Sequence, residues 1–276
     1  LLDADGHATG IELEGTPGQV VRALAADAEG GCFAVGLAVV MGDWDIAYWR
    51  IDAAGVPMLG DTFDYVPPGD VMQLPHKFMD LASDVVIDGD VAWVVGMSKG
   101  DHDGGDPDVL RGILVPMSIH TGPLGLGSVA PADNGWPQSA FFGAATYPGG
   151  VITTGYRCDE TCSKYEILTS RYADGKRVWF ENDATTTGLA YGSDVVLDSQ
   201  GRVLVAGAVT QNGKLRGYVF GRKLDVLGPP LFEHWYPGAG PSEALGIARD
   251  GYDRIFPGGY ITVNGEPQAR ITRIHG

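Results

Sequence analysis

Apolar residues along this chain come in short runs of about five to eight, each broken by a cluster of Gly, Asp, Pro or Asn. No long stretch repeats at the 3.6-residue period of an amphipathic helix, so the pattern predicts strands joined by tight turns. Five segments share one form: a short apolar run, a turn, a second apolar run and a closing glycine. They read Ala23–Gly36, Asp84–Gly96, Gly143–Gly155, Asp194–Gly207 and Gly246–Gly259. Their closing glycines, Gly36, Gly96, Gly155, Gly207 and Gly259, are spaced by 60, 59, 52 and 52 residues. A third apolar run follows each, at Ile46–Asp52, Val109–Val115, Ile167–Tyr172, Tyr218–Leu224 and Ala269–Ile274. In the first, third and fourth segments a glycine turn leads into a fourth run, at Met58–Phe63, Arg177–Phe180 and Leu231–Tyr236.

Four strands per repeat, at a period near or just above 40 to 50 residues, is the signature of a propeller blade. The expected fold is therefore all-β: a five-bladed β-propeller of four-stranded antiparallel blades forming one domain. Its blades fall at about residues 16–65, 80–125, 138–182, 190–237, and 242–276 with 1–15. The fifth segment stops after its third run, and Ile11–Glu14 reads as a fourth strand. The N-terminal strand, near residues 7–15, is thus expected to complete the last blade and close the ring, which removes exposed sheet edges. A fragment of a longer repeat array is the alternative; a β-sandwich would leave five equivalent glycines unexplained.

The repeat resembles bacterial secreted β-propeller repeat proteins, whose units carry S-x-A-x-x-(I/V)-A-x-D-x-x-G-x-(I/V)-x-(V/A)-x-G. Ser242–Asp250 (SEALGIARD) fits the first half and Asp198–Gly207 (DSQGRVLVAG) the second, whereas the third segment has Tyr147 in place of the turn aspartate. The resemblance spans nearly the whole chain, is built of turn and core positions, and implies a secreted or surface protein. It brings no catalytic residues with it.

Composition narrows the function. Nineteen Lys and Arg against 35 Asp and Glu give a net charge of −16, the wrong sign for a phosphate backbone, so nucleic acid is not expected as a partner. The 44% apolar content supports a packed core, and 42 glycines among 276 residues, roughly twice ordinary usage, fit a turn-rich fold. No apolar run reaches membrane-helix length, so no membrane span is expected. The chain opens Leu1-Leu2-Asp3 without Met, which suggests a processed or trimmed chain whose export signal lies elsewhere. A monomer in an extracellular, periplasmic or surface setting is expected.

Candidate chemistry is sparse. Asp84, Asp194 and Glu243 fall near the starts of first strands in three blades, where carboxylates can meet at a channel mouth and act as acid, base and orienting group. The acidic loop Asp101, Asp103, Asp106 and Asp108 carries alternating hard oxygen ligands of the kind Ca2+ takes, though it lacks the trailing Glu of an EF-hand. Its acids serve equally as turn formers. The aromatics Trp136, Tyr191, Trp235 and Tyr236, with His76 and His234, lie in or beside the long connections and are candidate ligand contacts. The same rings also fit between blades as packing.

Cys158 and Cys162 are spaced for a local disulfide, and Cys32 sits in an apolar run as a core thiol. The six histidines include no pair at zinc-site spacing, and no nucleophile elbow or phosphate loop is present. Three readings follow: a binding module presenting a glycan, peptide or surface protein on its loop face, with Ca2+ as the one cofactor expected; a carbohydrate-active or other small-molecule enzyme using the carboxylate trio; and a structural repeat domain.

Overall fold

The computed structural model describes residues 18–64, 79–99, 109–125, 128–129, 136–224, 228–238 and 240–274. Its regular structure is all strand, and among the described residues no helix is long and apolar enough to cross a membrane.

The strands run in chain order as antiparallel meanders. The first comprises β1 (Gln19–Ala26), β2 (Cys32–Val40), β3 (Asp43–Ile51) and β4 (Pro57–Phe63). The second comprises β5 (Met79–Asp88), β6 (Val91–Lys99), β7 (Leu110–Ser118), β8 (Gly122–Pro123) and β9 (Ser128–Val129). Then come β10 (Gln138–Tyr147), β11 (Gly150–Cys158), β12 (Tyr165–Ala173) and β13 (Lys176–Thr186), followed by β14 (Ala190–Leu197), β15 (Arg202–Gln211), β16 (Lys214–Lys223) and β17 (Phe232–Trp235). The last is β18 (Ser242–Arg249), β19 (Ile255–Val263) and β20 (Glu266–Ile271). By compactness the chain divides into two units, Leu1–Asp108 with Leu114–Gly127, and Val109–Ile113 with Ser128–Gly276.

Burial follows strand position. In the first four repeats the second and third strands are near-continuous apolar runs largely covered on both faces: six successive residues of β2, Phe33–Ala38, are buried, and seven of β15, Val203–Val209. The first strands of the later repeats alternate, so Val85, Ala144, Val195 and Ile247 are buried while Val86, Ala145 and Val196 are half-exposed. β1, β4 and β20 are the most exposed.

One irregularity recurs in every repeat. The pairing of first strand with second slips between Val21 and Ala23, Ala82 and Asp84, Phe141 and Gly143, Gly192 and Asp194, and Ala244 and Gly246. Each slip is a β-bulge of one residue, and directly opposite its near side stands the closing glycine. A Cβ on Gly36, Gly96, Gly155, Gly207 or Gly259 would lie 1.8, 1.8, 1.9, 2.1 or 1.9 Å from a carbonyl oxygen of the bulged strand. The glycine repeat in the sequence is therefore a demand for close backbone approach, not for a left-handed turn.

The turn aspartates have an equally definite use. Asp27 Oδ1 accepts the backbone N–H groups of Glu29 (2.9 Å) and Gly31 (2.8 Å), and Asp198 Oδ1 those of Gln200 (2.9 Å) and Arg202 (2.8 Å). Asp250 does the same for Tyr252 and Arg254 in the last repeat. The third segment dispenses with the aspartate because its hairpin is tighter, turning on Pro148 and Gly149. Tyr147 there donates its hydroxyl to the Tyr172 carbonyl, 2.9 Å away.

Several expectations need correction. The first two meanders do not form separate sheets: a single parallel bridge, Trp44 with Met79, joins them into one of nine strands. The fourth run of the third segment extends beyond Phe180 to Thr186, through residues whose polarity suggests a loop. Cys32 is half-buried at a strand start, its thiol pushed up first by burial and then by Asp27. The last sheet holds three strands among the described residues, and the N-terminal strand expected to complete it lies outside them.

Gly258 and Gly259 offer a test within one strand, because a Cβ at Gly258 meets nothing within 4 Å. Gly259→Ala is expected to cost about 3 kcal/mol or more in chemical denaturation, and Gly258→Ala no more than about 1 kcal/mol.

Candidate functional site

Strand alternation assembles the most developed site. In β13, Glu181 and Asp183 project to one face; in β16, Tyr218, Phe220 and Arg222 do; in β17, Glu233 and Trp235 do. Pairing places Tyr218 beside Trp235 and Phe220 beside Glu233. These strands bound a cleft of about 610 Å³ whose walls include Glu181, Asp183, Tyr218, Glu233 and Trp235, with Pro229 and Pro230 at one side. That volume lies within the range of ordinary small-molecule sites.

Arg222 organises the acids. It is 2% exposed, forms a close ion pair with Asp183 and reaches Glu181 Oε2 at 3.1 Å, so the sheet of β10–β13 is tied to the sheet of β14–β17. Asp183 is 8% exposed, and its Oδ2 has no hydrogen-bond partner although the residue lines the cleft. Burial pushes its carboxyl up to about 6, Arg222 opposes that shift, and the charges of Glu181 and Glu233 add to it. Tyr218 donates to Glu233 Oε1 at 2.8 Å, and burial together with this bond drives the phenol well above its ordinary range. The Tyr218 and Trp235 rings pack 4.4 Å apart as an aromatic wall.

The residues expected to carry chemistry fall in several places. Asp194 is fully engaged by backbone: Oδ1 accepts from Val195 N–H (2.7 Å) and Oδ2 from Ile247 N–H on the neighbouring first strand (2.8 Å). Burial raises its carboxyl, and these two bonds oppose the rise. Glu243 is clamped by two phenols, Tyr191 on Oε2 and Tyr260 on Oε1, each at 2.5 Å. The hydrogen bond to Glu243 and burial push the Tyr260 phenol up to about 12. Asp84 accepts the Val85 N–H at 2.8 Å in the first unit. Asp194 and Glu243 thus link neighbouring strands, and neither lines the cleft.

Among the expected ligand contacts, Trp235 lines the cleft. Tyr236 is fully buried in the core shared by the last two sheets, and the His234 ring lies 6.5 Å from it with Nε2 buried. Tyr191 packs edge-on against Phe142 at 6.0 Å besides holding Glu243. Trp136 lies under the Arg157 guanidinium at 4.8 Å, and Arg157 pairs with Glu166. His76 and the acidic loop Asp101, Asp103, Asp106 and Asp108 lie outside the described residues. Among the described residues no three His, Cys, Asp or Glu side chains are placed to hold a metal ion. Cys158 and Cys162 form a disulfide, with Cα atoms 4.9 Å apart.

Sequence reading missed Glu181, Asp183, Tyr218, Arg222 and Glu233. A signal was present: the third runs of the first, third and fourth segments carry an arginine, Arg50, Arg171 and Arg222, at the same position. A charge repeated within a buried strand needs acidic partners.

No protein family and no curated protein matches the chain. Among solved structures it is similar to an endo-arabinase from Bacteroides thetaiotaomicron at 12% identity and a TM-score of 0.46, covering 91% of this chain and 92% of that one. A protein from Lactobacillus plantarum aligns at 13% identity and a TM-score of 0.48, over 92% of this chain and 70% of that one. A puromycin-hydrolysing peptidase from Mycobacterium tuberculosis aligns at 14% identity and a TM-score of 0.48, over 90% of this chain but 36% of its own length.

The pH dependence of folding tests the buried cluster. A carboxyl raised in the folded state makes folding less favourable once it ionises, so Asp183 should lower stability progressively as pH rises from about 4 to about 6. Denaturant titrations across that window should show this fall in the native protein and a flatter profile in Asp183→Asn.

Proposed function

We propose that the chain is a five-bladed β-propeller, its ring completed by the strand near residues 7–15, and that it works as an exported binding module. Five repeats with the same bulge and closing glycine support the ring. The disulfide fits an oxidising compartment. The ligand sits in the cleft of β13, β16 and β17, and a glycan is the class that suits it best among glycan, peptide and surface protein.

The observation that carries this reading is one cleft whose lining puts Trp235, packed on the buried Tyr218, beside Glu181, Asp183 and Glu233. A sugar ring offers an apolar face to stack and hydroxyls to donate, and this wall supplies a surface for the first and acceptors for the second. Calcium held by Asp101, Asp103, Asp106 and Asp108 would order a separate acidic loop.

A hydrolytic reading has one observation of its own: Asp183 holds its proton up to about 6, beside a second carboxylate, Glu233. Such a pair suits acid and base roles at a glycosidic bond. The trio Asp84, Asp194 and Glu243 is the other enzymatic possibility, but Asp194 and Glu243 spend their oxygens on contacts within the protein.

Binding of an oligosaccharide panel, followed by calorimetry, is expected to weaken about tenfold or more in Trp235→Ala. Binding undiminished by that substitution would place the site elsewhere. Millimolar calcium should raise the melting temperature, and Asp103→Asn with Asp106→Asn should abolish the rise.

A further inference from the structure

We propose that the cleft selects an ammonium group borne on a sugar ring, so that its ligand is an oligosaccharide of hexosamine units with free amines. This inference rests on the glycan reading above and narrows it.

Charge is the first ground. Glu181, Asp183 and Glu233 line the cleft, whereas Arg222, the cation that pairs with the first two, is 2% exposed and is not part of the wall. Once Asp183 is ionised, above about pH 6, three carboxylates stand beside one guanidinium and two negative charges are left uncompensated within the cluster. A neutral sugar donates hydrogen bonds but leaves that imbalance in place. An ammonium brings up to three donors and offsets it.

The second ground is an acceptor without a donor. Asp183 Oδ2 is buried and unpartnered, on a residue that lines the cleft. A buried carboxylate oxygen in that state is costly unless something donates to it. The partner oxygen, Oδ1, already takes Arg222, so the remaining demand points away from the guanidinium.

The third ground is the aromatic wall. Trp235, half-buried and backed by the buried Tyr218, presents ring surface beside the acids, and an aromatic face attracts both the C–H side of a sugar and a cation. The absence of any metal-competent cluster among the described residues leaves a molecular cation as the match for the charge.

Titration calorimetry with the whole chain near neutral pH, where Asp183 is ionised and a share of the sugar amine is still protonated, decides the matter. The probes are a glucosamine oligomer, its fully N-acetylated counterpart, a neutral glucose oligomer and trilysine. The glucosamine oligomer is expected to bind about tenfold or more tightly than the N-acetylated one. Glu233→Gln, a change at an exposed side chain, should erase most of that preference, and Asp183→Asn should do so if the variant folds. Added salt should weaken the binding of the amine form selectively.

Equal affinity for the amine and N-acetyl forms, lost in Trp235→Ala, would overturn the ammonium inference and leave the glycan reading standing. Binding of no sugar oligomer would end both. Trilysine binding as tightly as the glucosamine oligomer would overturn the sugar part and make the ligand a basic peptide. Amine binding untouched by Glu233→Gln would trace to the protein's overall −16 charge and overturn the assignment to this cleft.

Discussion

The bulge in each first strand brings its backbone so close to the second strand that no side chain fits between them. The five closing glycines answer that constraint, and much of the rest follows from it. A bulge raises local twist and re-aims the residues after it. Asp84 and Asp194 each directly follow a bulged residue, Ser83 and Ser193, and turn an oxygen back onto the next backbone N–H. Asp194 then extends its other oxygen to the Ile247 N–H on the neighbouring strand. One feature of the backbone thereby sets the strand geometry and the contact to the next repeat.

The acids of this chain serve distinct physical ends that composition cannot separate. Asp27, Asp198 and Asp250 close turns by accepting backbone N–H groups. Asp194 and Glu243 join adjacent strands through buried or half-buried hydrogen bonds. Glu181, Asp183 and Glu233 gather around a cleft, and Asp183 there keeps a buried Oδ2 without a hydrogen-bond partner. A satisfied acid stabilises the fold; an unsatisfied one facing a cavity is available to a ligand.

The cleft owes its precision to its setting on strands. Glu181, Asp183, Tyr218, Glu233 and Trp235 all lie in regular structure, and Gly217, at the entry to this region, donates its N–H to Ser242 Oγ of the next sheet at 3.0 Å. Gly112 and Ser139 make the equivalent bond one sheet earlier, at 3.1 Å. Side chains fixed by a ladder of this kind lose little further freedom when a ligand arrives, which favours selectivity by charge and shape.

The sequence by itself determined the all-β class, the meander order, the closing glycines and the Cys158–Cys162 bridge, because these depend on local patterns of apolar alternation, turn chemistry and spacing. It did not point to the cleft of β13, β16 and β17. Glu181-Asn182-Asp183 reads as a loop by polarity, yet it is strand, since Arg222 supplies from another sheet the charge that lets those acids be buried. Tyr236 reads like Trp235 as an exposed aromatic; alternation puts them on opposite faces, one in the core and one on the cleft. Only the tertiary structure decided these matters, because ion pairing and packing between sheets join residues some 40 positions apart and leave no trace in the local pattern that marks a strand or a turn.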